Sequence, residues 1–203
     1  MTTNTSTLEI LGSLPVATVY EAAGKLGDIS PVIRSMVDGV RMAGPAFTVK
    51  TMPGDNLVVF RAIEAAPKGS VIVIDGGGSD RATIWGGSST LAAYTRGLAG
   101  CVTNAAVRDL AEIRELRFPV FAPGTAVRGT SKGHPGWIGL TIAMGDAVVS
   151  PGDIILGDED GLLVVPAKKA AEIATKALAK RRDEEARDAR IRSGEALSSI
   201  FKF

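Results

Sequence analysis

The sequence predicts an α/β protein: a core in which strands alternate with helices, then a block of antiparallel β-structure, then a long C-terminal helix. Three observations carry this. "SVIVID" is a short, continuous β-branched run, the pattern of a strand covered on both faces. It stands in a strand–helix–strand rhythm that extends from "GVRMAGPAFTVKT" to "PVFA". From Gly124 onward the β-runs are short and separated by Gly, Pro and Asp turns, with no room for crossover helices.

Element by element, a Thr/Ser-rich start over residues 1–7 is expected to fray. "SLPVATVYEAAGKLG" reads as a helix with Ser13 as N-cap, Pro15 near its first turn and Gly27 past its end. "GVRMAGPAFTVKT" supplies β-segments broken at Gly44-Pro45, and "GDNLVVFRAIEAAPKG" an amphipathic helix opened by Asp55 or Asn56 and stopped by Pro67. After "SVIVID" come the glycine loop "GGGSDRATIWGG", the helix "SSTLAAYTRGLAG", the strand "CVTNAAV", the helix "RDLAEIRELR" and the strand "PVFA". "GTAVRGT" and "GWIGLTIAMGDAVVSPGDIILGDEDGLLVVP" then form a second, antiparallel layer. Residues 167–193 form the long helix. Its distal part, "KRRDEEARDARIR", is charged almost all round, so it is either solvated or meets another subunit. One domain spanning 1–203 accounts for the 203 residues.

Composition removes several function classes. Lys plus Arg (23) nearly balance Asp plus Glu (22), so the net charge of +1 leaves no electrostatic footprint for nucleic acid or an anionic membrane. The N-terminus has no basic segment followed by an apolar stretch, and no run approaches the roughly 18 apolar residues of a spanning helix. The single Cys101 forms no internal disulfide and reads as a buried, inert thiol. Together these predict a cytoplasmic protein.

The chemistry concentrates at two strand ends. "VTNAAVRDLAEI" runs from an apolar strand directly into Arg108 and Asp109. Locally, Asp109 reads as the N-cap of the next helix and Arg108 as a surface charge. In open α/β sheets, however, ligands sit at strand C-termini. The preceding strand end, "VIDGGGSDRATIWGGSSTLAAY", brings Gly86 and Gly87 into Ser88, Ser89 and a helix, where free N–H groups and the helix dipole suit a carboxylate or phosphate. An Arg fork, helix N-terminal amides and a carboxylate around one small volume would hold an anion beside a cation. As a nucleotide fingerprint the loop is weak, because Gly76-x-Gly78 is followed by Arg81 where a third glycine belongs.

Nearly the whole chain resembles the RraA-like proteins, a family that includes metal-dependent 4-hydroxy-4-methyl-2-oxoglutarate aldolases and oxaloacetate decarboxylases. The residues that carry the resemblance are "GPAFTVKTMPGDN", "VIVIDGGG", "WGG" with "RGLAG", "AAVRDLAEI" and "VSPGDIILGDEDGLLVVP", and the spacing from Gly87 through Arg108-Asp109 to Glu112. The resemblance implies a layered ββα, swivelling-domain-like core of mixed sheets with flanking helices, assembled as a homotrimer or homohexamer. It implies that Arg108 binds the carboxylate and keto oxygen of a small oxo acid, that Asp109 ligates a divalent metal, and that amides near Ser88 and Ser89 hold the pyruvyl carboxylate. Many aldolases of the family carry an acidic residue where this chain has Gly87; Asp80 in the same loop is the candidate to compensate. A C-terminal acidic residue from the neighbouring protomer, with Glu184 or Glu185 as counterpart, would complete the metal's surroundings, although both also read as solvated helix positions. Another branch of the family consists of non-catalytic regulators that bind a ribonuclease; there the acidic residue after the arginine is typically lost, so the presence of Asp109 favours the enzyme.

The residue inventory agrees with an oxygen-ligated Mg²⁺ or Mn²⁺ and no organic cofactor. One His, His134 in "KGHPGW", and one Cys cannot build a His- or thiolate-rich zinc site. A Schiff-base aldolase needs a desolvated lysine. Lys50, Lys68 and Lys132 lie among polar, Gly or Pro neighbours and read as surface lysines.

Overall fold

Leu8, Leu11 and Leu14 recur at threes and give the N-terminus an apolar stripe; Leu11 is fully buried. In the computed structural model, which describes residues 5–79 and 82–203, this stripe is helix α1 (Thr5–Ser13), reaching into the stretch expected to fray. Ser13 ends α1, donating its hydroxyl to the Ile10 carbonyl, instead of capping the next helix. Pro15 takes the cap position of α2 (Val16–Ala22), as its fixed φ and missing N–H allow.

A short β1 (Arg34–Ser35) precedes β2 (Met42–Lys50), which runs unbroken through Gly44-Pro45. The expected break is absent because β2 changes partners there. The chain then alternates as predicted through α3 (Leu57–Ala65), β3 (Val71–Asp75), β4 (Thr83–Trp85), α4 (Gly87–Thr95), β5 (Gly100–Thr103), β6 (Ala106–Val107), α5 (Leu110–Glu115) and β7 (Val120–Ala122). There follow β8 (Trp137–Ile138), β9 (Ile142–Met144), β10 (Ala147–Val149), β11 (Ile154–Asp158) and β12 (Gly161–Val165). A 3-10 turn leads into α6 (Ala170–Arg192), and α7 (Leu197–Phe201) closes the chain.

Strands β2, β3, β5 and β7 are parallel neighbours, as their crossover helices require. Residues 46–50 of β2 pair with β3, whereas residues 42–45 pair antiparallel with β11 on the other edge. Gly44 permits this crossing, since a Cβ there would stand 2.3 Å from the Gly69 carbonyl oxygen. The expected second β layer is therefore mostly an extension of the first. β11 and β12 join the sheet beside β2, giving the order β1-β7-β5-β3-β2-β11-β12, and β8 also pairs with β2. Only β9 and β10 form a separate hairpin. The sheet curls until β1 meets β12, so it is nearly closed.

Helices α3 to α5 cover one face of the parallel strands, over a core that includes Ile63, Ile72, Ile74 and Trp85. Met144 and Val149 of the hairpin fill the other face with Phe121 and Val73. α1, α2 and α6 pack on β11 and β12 around Leu11, Ile154 and Ile173. Among the described residues no helix is long and apolar enough to cross a membrane.

Candidate functional site

The run "CVTNAAV" is two strands. Asn104 interrupts it, accepting from the Gly76 N–H and donating to Asp75. After that break the chain leaves the main sheet, and β6 pairs in parallel with β4, a strand inside what the sequence presented as a glycine loop. This small two-stranded sheet positions the site. Its ends deliver Gly86 into α4 and Arg108-Asp109 into α5, side by side, with the Arg108 N–H bonded to the Trp85 carbonyl. Trp85 anchors the turn from below: it is buried, stacks on Phe118, and donates its indole N–H to Thr90, whose hydroxyl bonds back to Gly86.

Asp109 occupies the N-cap position of α5 but does not cap it. Its backbone is left-handed (φ 59°, ψ 43°), and its carboxylate makes no bond to α5. The carboxylate turns across to α4, where Oδ2 accepts the Gly87 N–H at 3.0 Å and lies 3.4 Å from Arg108 Nε. A left-handed non-glycine residue costs about 1–3 kcal/mol, a strain that clusters at functional sites. Oδ1 has no hydrogen-bond partner among the described residues. The glycines leave room for this arrangement. A Cβ on Gly86 would stand 2.6 Å from Asp109 Oδ2, and one on Gly87 would stand 3.0 Å from Glu112 Oε2. Gly86 is extended at φ −160° and Gly87 is the first residue of α4. The need at both is space and not a left-handed turn.

A cleft of about 130 Å³ opens above this pair, and its lining includes Gly86, Ser88, Ser89, Arg108 and Asp109. The lining also takes in Asn56 at the N-cap of α3, Phe60 of α3, and Thr130 and Lys132 of the segment 124–136. That segment is tied down by Asp55, whose Oδ2 accepts from the Ser131 hydroxyl and from the N–H groups of Gly133 and His134, while Oδ1 accepts from Leu57 N–H. Burial alone would raise the Asp55 pKa, but these bonds outweigh it and hold it at about 2. Arg108 packs beneath the same segment, where a Cβ on Gly129 would stand 3.4 Å from Nη1.

Two members of this lining extend the sequence reading. Lys132 is exposed, as the sequence reading expects of a surface lysine, and it also borders the cleft, its ammonium 5.6 Å from the centre of the Phe60 ring. Asn56, which also borders the cleft, is buried, and its Oδ1 is shielded with no hydrogen-bond partner among the described residues. The sequence signal for both was "PGDN", since a buried Asp after a tight turn must find donors somewhere. His134 is a loop residue, as expected, with Nδ1 accepting the Gly136 N–H. Cys101 is fully buried, and burial pushes its thiol up, so it is inert.

No group of three or more His, Cys, Asp and Glu converges as a metal site among the described residues. The oxygen donors at hand are Asp109 and, beside Gly87, Glu112; together they line a shallower depression of about 450 Å³ with Ser88 and Leu91. Asp80 lies outside the described residues. Neither C-terminal glutamate reaches the cleft within the chain: Glu184 accepts from the Thr18 hydroxyl at 2.8 Å, and Glu185 pairs with Arg181 at 3.0 Å.

A family model described as RraA-like, Aldolase/RraA, matches residues 16–164. A protein of Halalkalibacterium halodurans with the provisional name 4-hydroxy-4-methyl-2-oxoglutarate aldolase is 35% identical over 176 residues, 87% of this chain and 84% of that protein. One of Burkholderia multivorans with the same provisional name is 38% identical over 143 residues, 70% of this chain and 87% of that one. Among solved structures, an uncharacterized protein from Pseudomonas syringae pv. tomato superposes with a TM-score of 0.85 at 28% identity over 98% of both chains. The RNA-processing inhibitor RraA from Thermus thermophilis superposes at 0.70 with 30% identity, over 75% of this chain and 92% of that one.

Proposed function

The chain belongs to the RraA-like family, and from that premise we propose that it is a divalent-metal-dependent carbon–carbon lyase. Its substrates are 4-hydroxy-2-oxo acids such as 4-hydroxy-4-methyl-2-oxoglutarate, cleaved to pyruvate, with oxaloacetate decarboxylation as a second activity of the same site. The single observation that carries the reading is Asp109, held in a strained backbone with one carboxylate oxygen unpartnered among the described residues, next to Arg108 and the N-terminus of α4.

The donor set fits Mg²⁺ or Mn²⁺, because such ions accept one or two carboxylates and keep several waters. Asp109 would hold the ion, with Glu112 beside it; Asp80, the further candidate from the sequence, lies outside the described residues. When bound, the metal supplies Lewis-acid polarisation of the 2-oxo group. The protein's own groups do the rest. The amides of Ser88 and Ser89, at the positive end of α4, receive the pyruvyl carboxylate. The Arg108 guanidinium grips the 2-oxo oxygen and stabilises the negative charge that collects there. In aldol cleavage the C4 hydroxyl gives its proton to water in the cleft, the C3–C4 bond breaks, C4 becomes a carbonyl and the electron pair passes to the pyruvate enolate. In decarboxylation the same bond breaks with loss of CO₂ and the same enolate remains. Either enolate takes a proton at C3 from water in the cleft, since no histidine lines it.

This reading includes a homo-oligomer, a trimer or hexamer, in which Glu184 or Glu185 approaches a neighbour's site. The exposed Leu91 and Tyr94 beside the Glu112 depression support it, and light scattering checks it. Pyruvate release from 4-hydroxy-4-methyl-2-oxoglutarate and oxaloacetate, before chelation and after resupply of Mg²⁺ or Mn²⁺, tests the activity. Absence of pyruvate with metal present overturns it. The likeness to the RraA inhibitor supports a second reading, a non-catalytic regulator that binds a ribonuclease. Inhibition of ribonuclease E cleavage by a protein that releases no pyruvate would favour that one.

A further inference from the structure

The peptide between Gly86 and Gly87 has a fixed task and little of its own to fix it. Its N–H holds Asp109 Oδ2 at 3.0 Å, the bond that draws the carboxylate across to α4. A glycine stands on each side, so neither residue brings a side chain to resist rotation of the peptide plane. The restraint lies at the other end of that plane. In a planar trans peptide the carbonyl points opposite to the N–H, and the Gly86 carbonyl accepts two bonds from one residue, the backbone N–H and the hydroxyl of Thr90, each at 3.0 Å.

The backbone bond is that of any helix, but the hydroxyl bond has a setting that its counterparts lack. Thr95 and Thr175 bond to the carbonyl four residues back at exposed positions. Thr90 is fully buried, and its oxygen also accepts the Trp85 indole N–H at 2.7 Å. With one lone pair taken by the indole, the single hydroxyl proton is left for Gly86. Trp85 is itself buried and stacked on Phe118, so this short chain of bonds starts from a rigid base.

We infer that Thr90 is a positioning residue for Asp109: its hydroxyl locks the 86–87 peptide plane, aims the Gly87 N–H at Oδ2, and so sets how the carboxylate presents its other oxygen. The consequence for metal binding rests on the reading of Asp109 as the metal ligand. The lock itself does not.

The test uses protein labelled with ¹⁵N-glycine and stripped of metal by chelation, with the Gly87 amide signal identified by its loss in Gly87→Ala. Asp109→Asn should move that proton signal upfield, because a charged acceptor is replaced by a neutral one. Thr90→Val should move it in the same direction by a comparable amount, and Thr90→Ser should leave it in place. Mn²⁺ alone is then titrated by water proton relaxation. Its dissociation constant should rise about tenfold in Thr90→Val, as for loss of a partner that orients a metal ligand, stay as in the wild type in Thr90→Ser, and change no further when Thr90→Val is added to Asp109→Asn. Thr90→Cys, close to serine in size but a weak donor, replaces Thr90→Val if that variant does not fold. An unmoved Gly87 signal in Thr90→Val, or a serine variant that behaves like valine, overturns the lock. So does Mn²⁺ affinity that falls in Asp109→Asn and holds in Thr90→Val. A signal that moves as expected while Asp109→Asn leaves Mn²⁺ affinity unchanged keeps the lock and removes Asp109 as metal ligand.

Discussion

Asp55 and Asp109 flank one cleft and are opposites. Asp55 is buried, its backbone is ordinary, and its two oxygens accept four hydrogen bonds from the chain. Asp109 is more than a third exposed, its backbone is strained, and one oxygen has no hydrogen-bond partner among the described residues. A carboxylate whose lone pairs are all used stabilises structure; one that is held under strain with a free oxygen has capacity left for chemistry. The difference lies in the surroundings, since the side chains are identical.

The sharpest way to break this comparison is Asp109→Asn. Asn tolerates the left-handed backbone as well as Asp does, so the melting temperature should hold while pyruvate release falls by about 10²-fold or more. A parallel loss of stability would make Asp109 structural after all. Gly86→Ala should come next. Its Cβ would displace Asp109 Oδ2 from the Gly87 N–H, lowering turnover by roughly tenfold, as loss of a positioned hydrogen bond does, with folding largely kept.

Asp55→Asn should show the reverse pattern, a loss of about 1–3 kcal/mol in urea unfolding, because an amide offers one acceptor oxygen to four donors. The pH dependence follows from the same bonds. The folded pKa of Asp55, about 2, lies below its usual 3.8, so its contribution is complete above 3.8 and is lost as pH falls from there toward 2. Unfolding curves across that range should lose part of their pH slope in Asp55→Asn. The smallest effect is expected for Gly87→Ala. The backbone there is helical, and the Glu112 carboxylate can move aside, so alanine should change stability by about 1 kcal/mol or less. Collapse of activity in this variant would show that Glu112 must not move.

The legible parts of the molecule are those whose causes are local. "VIVID" is buried on both faces because its composition leaves no other place for it, and β3 follows from the sequence alone. The Arg108-Asp109 pair was also visible, as charges abutting an apolar run. The illegible parts depend on distant partners. Pro45 reads as a break until β11 arrives on the edge where the strand changes neighbours. Asn104 looks like one more residue of an apolar strand until Gly76 and Asp75 bond to it. Lys132 has polar neighbours in sequence, and only the bonds from Asp55 to its flanking residues turn it into a cleft wall.

The left-handed backbone at position 109 also limits what descent can do there. Asp, Asn and Gly adopt such a conformation most readily, although Lys25, Arg117 and Lys202 of this chain adopt it too. Asn and Gly, the changes that keep this backbone at least cost, both delete the charge, and on the proposed lyase reading a duplicated copy released from selection has a short path open to it. One substitution would remove the proposed metal ligand, while the Asp55 anchor, the Trp85 turn and the sheet persist as a ready-made surface for some other use.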